Sequence, residues 1–296
     1  MFDLRYHVTS LAAVFIALVI GILVGVALAS HGLGNSERKS LEDDVRRAQN
    51  RADRLQARVN DLQQSGAAAA TFVNSTYNAL MTDRLKGKRI AVLFVGSVDH
   101  AIEDDISNTI RDAGGRTAAR MYAVQVPINA SAIDNRLSGR PALAKYSGDD
   151  QLRNLGRELG REFVAGNDTP VWNALRNLIV QEATPRFGAS KRLADGVIVV
   201  RTADPQMGQT APFVKGLYEG VANAGVPAVG VDRSTSDFGA KQVFQQAQLS
   251  TVDDVDLDAG KLALAIVLSA PASRADYGLR ANDLLPLVTP ALAPSG

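Results

Sequence analysis

Hydrophobic and polar positions follow three rhythms along this chain. Residues 11–29, LAAVFIALVIGILVGVALA, are apolar with no charge and no proline. As a helix they reach about 28 Å, close to the ~30 Å hydrocarbon core of a bilayer. A lone segment crosses lipid as a helix, because each backbone N–H and C=O is then paired internally. The run predicts a single transmembrane helix within an anchor of residues 1–30. Ala13, Ala17, Gly21, Gly25 and Ala29 recur at every fourth position and share one face. Such a face lets a second helix approach closely in lipid, which points to a homodimer or higher oligomer. The plainer reading is that Ala and Gly are common in membrane helices. A removable signal peptide is the rival, since Ala27-Leu28-Ala29 before Ser30 has the A-x-A form. The length of the apolar run, and an N-terminal side where Arg5 is offset by Asp3, favour a retained anchor.

The second rhythm is a heptad. Residues 31–36 hold two glycines and form a joint. Beyond it Leu41, Val45, Ala48, Ala52, Leu55, Val59 and Leu62 are spaced 4-3-4-3-4-3. Leu41, Ala48, Leu55 and Leu62 fall at d, and Val45, Ala52 and Val59 at a. That is a coiled-coil seam, and β-branched a with Leu at d favours a parallel dimer. Glu42/Arg46 and Asp43/Arg47 support the helix as i,i+4 pairs. Residues 31–65 are thus predicted to form the joint and a stalk about 40 Å long. A single amphipathic helix packed on the rest of the chain is the alternative, since Ala48 and Ala52 weaken the seam. Gly66 is expected to interrupt the stalk. A helix over 67–85 would then anchor through Phe72, Tyr77, Leu80 and Leu85.

The third rhythm alternates buried strands with helices over residues 66–286. Strands are predicted at 89–95, 117–126, 196–200 and 226–231, and helices at 98–113, 152–164, 171–182, 210–224 and 261–269. Residues 127–150 read as loop, and the Pro-rich tail 287–296 as loose. Short strands alternating with helices imply an α/β fold, a doubly wound, mostly parallel sheet with flanking helices.

Charge and composition narrow the function. The net charge is +1 and aromatic residues make up 5%, so neither a basic field nor stacking platforms favour nucleic acid. There is no cysteine, so disulfides give no information on compartment. Arg38, Lys39, Arg46 and Arg47 after the apolar run lean towards a cytoplasmic body, although a large domain is translocated regardless of such counts.

Candidate chemistry sits at strand ends, where open α/β sheets bind ligands. Ser97 and Asp99 follow the first strand, Arg201 the third, and Asp232 and Arg233 the fourth. The alternative is that they are turn residues and helix caps. Gly96 stands alone, without a G-x-G-x-x-G or Walker pattern. No Gly-x-Ser-x-Gly elbow exists, and His7, His31 and His100 are far apart, so an enzyme is not supported. Met1, Met81, Met121 and Met207 are isolated, so no soft-metal motif is evident and no cofactor is expected. Asp253, Asp254, Asp256 and Asp258 cluster, which suits a hard cation or, more simply, a solvated loop before a helix.

Leu4-Arg5-Tyr6-His7 precedes Ser10-Leu11-Ala12-Ala13-Val14-Phe15 and Gly21-Ile22-Leu23-Val24-Gly25. Leu85-Lys86-Gly87-Lys88-Arg89 leads into the first strand. Ser250-Thr251-Val252-Asp253-Asp254-Val255-Asp256 precedes Gly260-Lys261, and Tyr277-Gly278-Leu279-Arg280 precedes Leu285-Pro286. Over nearly its full length the chain resembles the actinobacterial copper transporter MctB family. The resemblance implies a membrane-anchored protein of the cell envelope with an extracytoplasmic body, involved in copper export or homeostasis. It brings no copper ligands, because no ligand motif is present to match. The residues themselves suggest a second role: a dimeric coiled-coil scaffold recruiting an envelope or division enzyme.

Overall fold

The computed structural model describes residues 4–32, 35–115, 120–166, 169–184, 193–236, 239–269, 274, 276–281 and 283–286, except the side chains of 4–10, 12, 28–32, 35–38 and 184. The tail expected over 287–296 lies outside these residues. The chain divides into two compact units, Met1–Ala69 and Ala70–Gly296.

The first unit is helical. Helix α1 is Leu4–Gly32. Its described large side chains are exposed, from Leu11 at 66% to Val24 at 50%. Ala13, Ala17, Gly21 and Gly25 are exposed with them, and Ala29 lies outside the described side chains. No helix is long and apolar enough, among the described residues, to cross a membrane. The unbroken described apolar stretch, 13–27, covers about 22 Å of helix. Helix α2 is Asn35–Met81. It does not break at Gly66, contrary to expectation. Glycine costs a helix interior only about 1 kcal/mol, and the alanines at 67–70 are the best helix formers.

In the second unit the end of α2 packs through Val73, Tyr77 and Met81, all buried. The expected anchor Phe72 is 64% exposed. The helix stops at Met81 rather than at residue 85. Asp83 and Gly87 then adopt left-handed backbone in the turns that follow. Leu85, in those turns, is fully buried.

Strand β1 (Ile90–Val95) leads to α3 (His100–Asp112) and β2 (Arg120–Val124). The expected loop over 127–150 contains α4 (Ala130–Ser138), capped by the Asn129 side chain accepting from the Ala132 N–H. Helices α5 (Leu152–Ala165) and α6 (Pro170–Ile179) follow. The helix expected over 171–182 instead ends at Ile179, and β3 (Val180–Thr184) pairs antiparallel with β2. A free strand edge and a β-branched start overrode helical continuation there. Then come β4 (Gly196–Arg201), α7 (Thr210–Ala222), β5 (Ala228–Val231), α8 (Lys241–Gln246), β6 (Ser250–Val252), α9 (Asp258–Ser269) and β7 (Asp276–Tyr277). Strands β6 and β7 are too short for their periodicity to show in the sequence.

The sheet order is β3-β2-β1-β4-β5-β6-β7. Apart from β3 all pairings are parallel, with Leu93 opposite Tyr122 on one side and Val199 on the other. Two cores lie on opposite faces of the sheet. One joins Leu93 and Val199 to Trp172, Leu217 and Phe244. The other joins Phe94 and Val200 to Met81, Ile106 and Leu264. Helices thus flank both faces of a mostly parallel sheet. In the first core α5 and α7 touch backbone to backbone. A Cβ on Gly156 or Gly160 would strike the carbonyl oxygen of Phe213 or Leu217, and one on Gly216 or Gly220 that of Arg153 or Arg157.

Candidate functional site

Strands β1, β4 and β5 are parallel, so their carboxyl ends share one edge. The strand order reverses at β1, with β2 on one side and β4 on the other. Ligands in open α/β sheets bind outside such a reversal. Gly96 follows β1 with φ of +115°, and a Cβ there would stand 2.8 Å from the Ala203 nitrogen. Its absence lets the loop after β4 close on β1. Thr202 and Ala203 N–H donate to the Val95 carbonyl at 3.1 and 3.2 Å. The Thr202 hydroxyl donates to the Ser97 carbonyl at 2.6 Å. The lone glycine therefore serves loop packing.

A cleft of about 600 Å³ opens at this edge, lined by Ser97, Asp99, Arg201, Thr202, Asp232 and Arg233, among others. The structure thus places Asp99, Arg201 and Asp232 on one wall system, in different roles. Asp99 caps α3, accepting from the Ala101 and Ile102 N–H groups at 2.9 and 3.2 Å. Asp232 accepts from the Arg233 N–H at 2.9 Å. The Arg233 guanidinium lies 3.2 Å from Asp105. Burial raises the Asp105 carboxyl, and Arg233 pulls it back down. Arg201 is only 6% exposed. Hydroxyls, carboxylates and guanidinium groups make the cleft suited to holding a polar ligand by hydrogen bonds.

A second cavity, of about 220 Å³, is also lined by Arg201. Its other walls are mainly apolar: Val95, Ala203, Ala211, Val214, Val243 and Ala247. Tyr218 completes it. This ring meets Phe244 edge to face at 5.3 Å, and its hydroxyl is buried with no hydrogen-bond partner. An unmade buried donor costs about 1–3 kcal/mol. Burial raises the phenol's pKa and Arg201 acts against the rise, so the group stays a neutral donor. Ala211, Val214, Lys215 and Tyr218 are spaced i, i+3, i+4, i+7 on α7, the only trace of this wall in the sequence.

The acidic run does not form a solvated loop. Asp253 and Asp254 are 3% and 0% exposed. Asp253 accepts from the Arg280 N–H at 3.1 Å. Asp256 accepts from the Ser234 N–H and hydroxyl at 2.7 and 2.6 Å. Asp258 opens α9 and lies 3.7 Å from Lys261. Neither Asp254 oxygen has a partner. Burial, then Asp253 and Asp256 beside it, push the Asp254 carboxyl up to about 7. Among the described residues no three His, Cys, Asp or Glu side chains gather as a group that could hold a metal ion. Met81 and Met121 are buried in the core, and Met207 is 83% exposed. His100 is exposed and pairs with Glu103 at 3.0 Å.

Residues 1–286 match the family described as "Copper transport outer membrane protein, MctB". The chain belongs to the MctB family. Similar proteins are "Copper transporter MctB" of Mycobacterium bovis and of Mycobacterium tuberculosis, each 26% identical over 304 residues, covering 90% of this chain and 92% of theirs. The match spans both units. It bears out the resemblance carried by the terminal motifs, and the C-terminal one has a visible task. Tyr277 pairs with Val252 across β6 and β7. Gly278 has φ of +120°, and a Cβ on it would collide with the Asp253 carboxylate. Arg280 reaches the Ser234 and Ser236 carbonyls at 2.7 and 3.2 Å, tying this MctB family motif to the loop after β5 that lines the cleft.

Proposed function

We propose that this chain is a membrane-anchored, non-enzymatic protein of the cell envelope acting in copper export or homeostasis, its body outside the cytoplasm. The family match over residues 1–286 carries the reading. The anchor in this reading is the uncharged run 11–29, taken from the sequence, of which residues 12, 28 and 29 lie outside the described side chains. Copper is cargo here. One apolar helix has no polar lining, so transport requires several copies or a further component. The test is titration of the purified full-length chain, in detergent, with Cu(I) against a competing chelator. Stoichiometric binding that outcompetes the chelator supports direct handling of copper. No binding removes direct handling and leaves an indirect role.

A second reading has its own observation. The seam residues Leu41, Val45, Leu55, Val59 and Leu62 of α2 are 57%, 49%, 59%, 44% and 66% exposed. A heptad stripe left open to water is what a second helix covers in a dimeric coiled coil. In this reading the chain is a homodimeric scaffold whose coiled coil recruits an envelope enzyme. Leu55→Pro breaks the helix mid-seam, at about 3 kcal/mol. It should abolish crosslinked dimers in membranes, and unchanged crosslinking would remove the coiled coil.

A further inference from the structure

The smaller cavity at the strand reversal has three properties that belong together. Its apolar walls come from three elements: Val95 at the end of β1, Ala211 and Val214 on α7, and Val243 on α8 with Ala247 just after it. It is bordered by Tyr218, whose hydroxyl is fully buried and makes no hydrogen bond. Its charged lining residues are two cations, Arg201 at the end of β4 and Lys215 on α7, and one carboxylate, Asp204.

We propose that this cavity binds a small carboxylate with an apolar body, of the size of one aromatic ring or a short alkyl chain. Size comes first. An apolar cavity of about 150 Å³ accommodates benzene. The 220 Å³ available here takes a ring together with its carboxylate. Chemistry comes second. The Tyr218 O–H is a donor needing an acceptor, and a carboxylate oxygen is a strong one. A guanidinium has five N–H donors in a planar fork, so Arg201 can hold a carboxylate while keeping other contacts. A phosphate would bring too much charge against the valine and alanine walls. Water is a poor filler, since a buried water needs two to four polar partners and these walls are mainly apolar. Position comes third, because the cavity lies where the sheet reverses its strand order.

The test uses full-length protein in detergent and three probes: benzoate, hexanoate and the neutral benzyl alcohol, followed by isothermal titration and saturation-transfer NMR. Benzoate and hexanoate should bind saturably, and benzyl alcohol at least tenfold more weakly. Tyr218→Phe, which removes only the unpartnered hydroxyl, should weaken benzoate about tenfold without lowering Tm. Ala211→Phe, filling the cavity from α7, should abolish binding of both carboxylates. Absence of saturable benzoate binding to the parent overturns the site. So does benzoate binding that survives both substitutions. Benzyl alcohol binding as tightly as benzoate overturns the carboxylate assignment.

Discussion

Glycines four residues apart occur in α1 at Gly21 and Gly25, in α5 at Gly156 and Gly160, and in α7 at Gly216 and Gly220. The spacing is the same and the surroundings are opposite. A Cβ on Gly21 or Gly25 meets nothing within 4 Å. On the α5 and α7 glycines it meets the backbone of the facing helix. Two of these stripes therefore complete each other inside the second unit, while at the third nothing among the described residues comes within 4 Å. The heptads repeat the contrast. Leu55 on α2 is 59% exposed, whereas Leu155 and Leu159 on α5 are fully buried. A small-residue stripe states how close a partner can come. Whether the partner is the same chain, another copy or lipid is decided elsewhere.

The largest effect should come from the filled pair. Gly216→Val drives a branched side chain into the Arg153 carbonyl, where only backbone could move. Overpacking typically costs about 1–3 kcal/mol, and the upper end or more is expected where the obstacle is backbone. Thermal unfolding of the full chain should show loss of the cooperative transition or a large fall in Tm. A normal Tm would mean that α5 and α7 are not in contact. Gly21→Val is the counterpart: Tm of the α/β unit should stay constant, while crosslinked dimer in membranes falls, by an energy on the order of 1 kcal/mol. Equal dimer yield would break the comparison.

An intermediate effect is expected within the second unit, at Asp254. Its folded-state pKa, about 7, stands above the ordinary 3.8. The folded protein holds this proton more tightly than the unfolded chain does. Its stabilising contribution is therefore full below the ordinary value and is lost as pH rises through about 7. Asp254→Asn should raise Tm relative to the parent at pH 8, keep only a smaller part of that advantage at pH 5 and lose it below the ordinary 3.8. A gain independent of pH would show that the carboxyl does not titrate in this range. The smallest effect is at the cleft. Asp99→Ala removes the α3 cap and should cost about 1 kcal/mol in denaturant unfolding.

Much of this architecture was legible residue by residue. The apolar run, the heptad and the strand at residues 89–95 each have a periodicity set by local geometry. Asp99, Arg201 and Asp232 were legible as strand-end residues because chain order and parallel pairing place such ends on one edge. Other features were not. Strand β3 needed the open edge of β2 to exist. The burial of Asp253 and Asp254 needed the loop around Gly278 and Arg280 to fold over them. Tyr218 reads as one more aromatic on an amphipathic helix until Phe244 and Arg201 are placed beside it.

The sequence by itself determined that this chain has an uncharged apolar segment, a heptad helix and an α/β body, because hydrophobic period follows from the rise and turn of a backbone. Tertiary structure alone decided which glycine stripe is filled, which aspartate loses its water and which tyrosine is left without a partner. Those properties belong to pairs of distant residues, and no single stretch of chain contains both members.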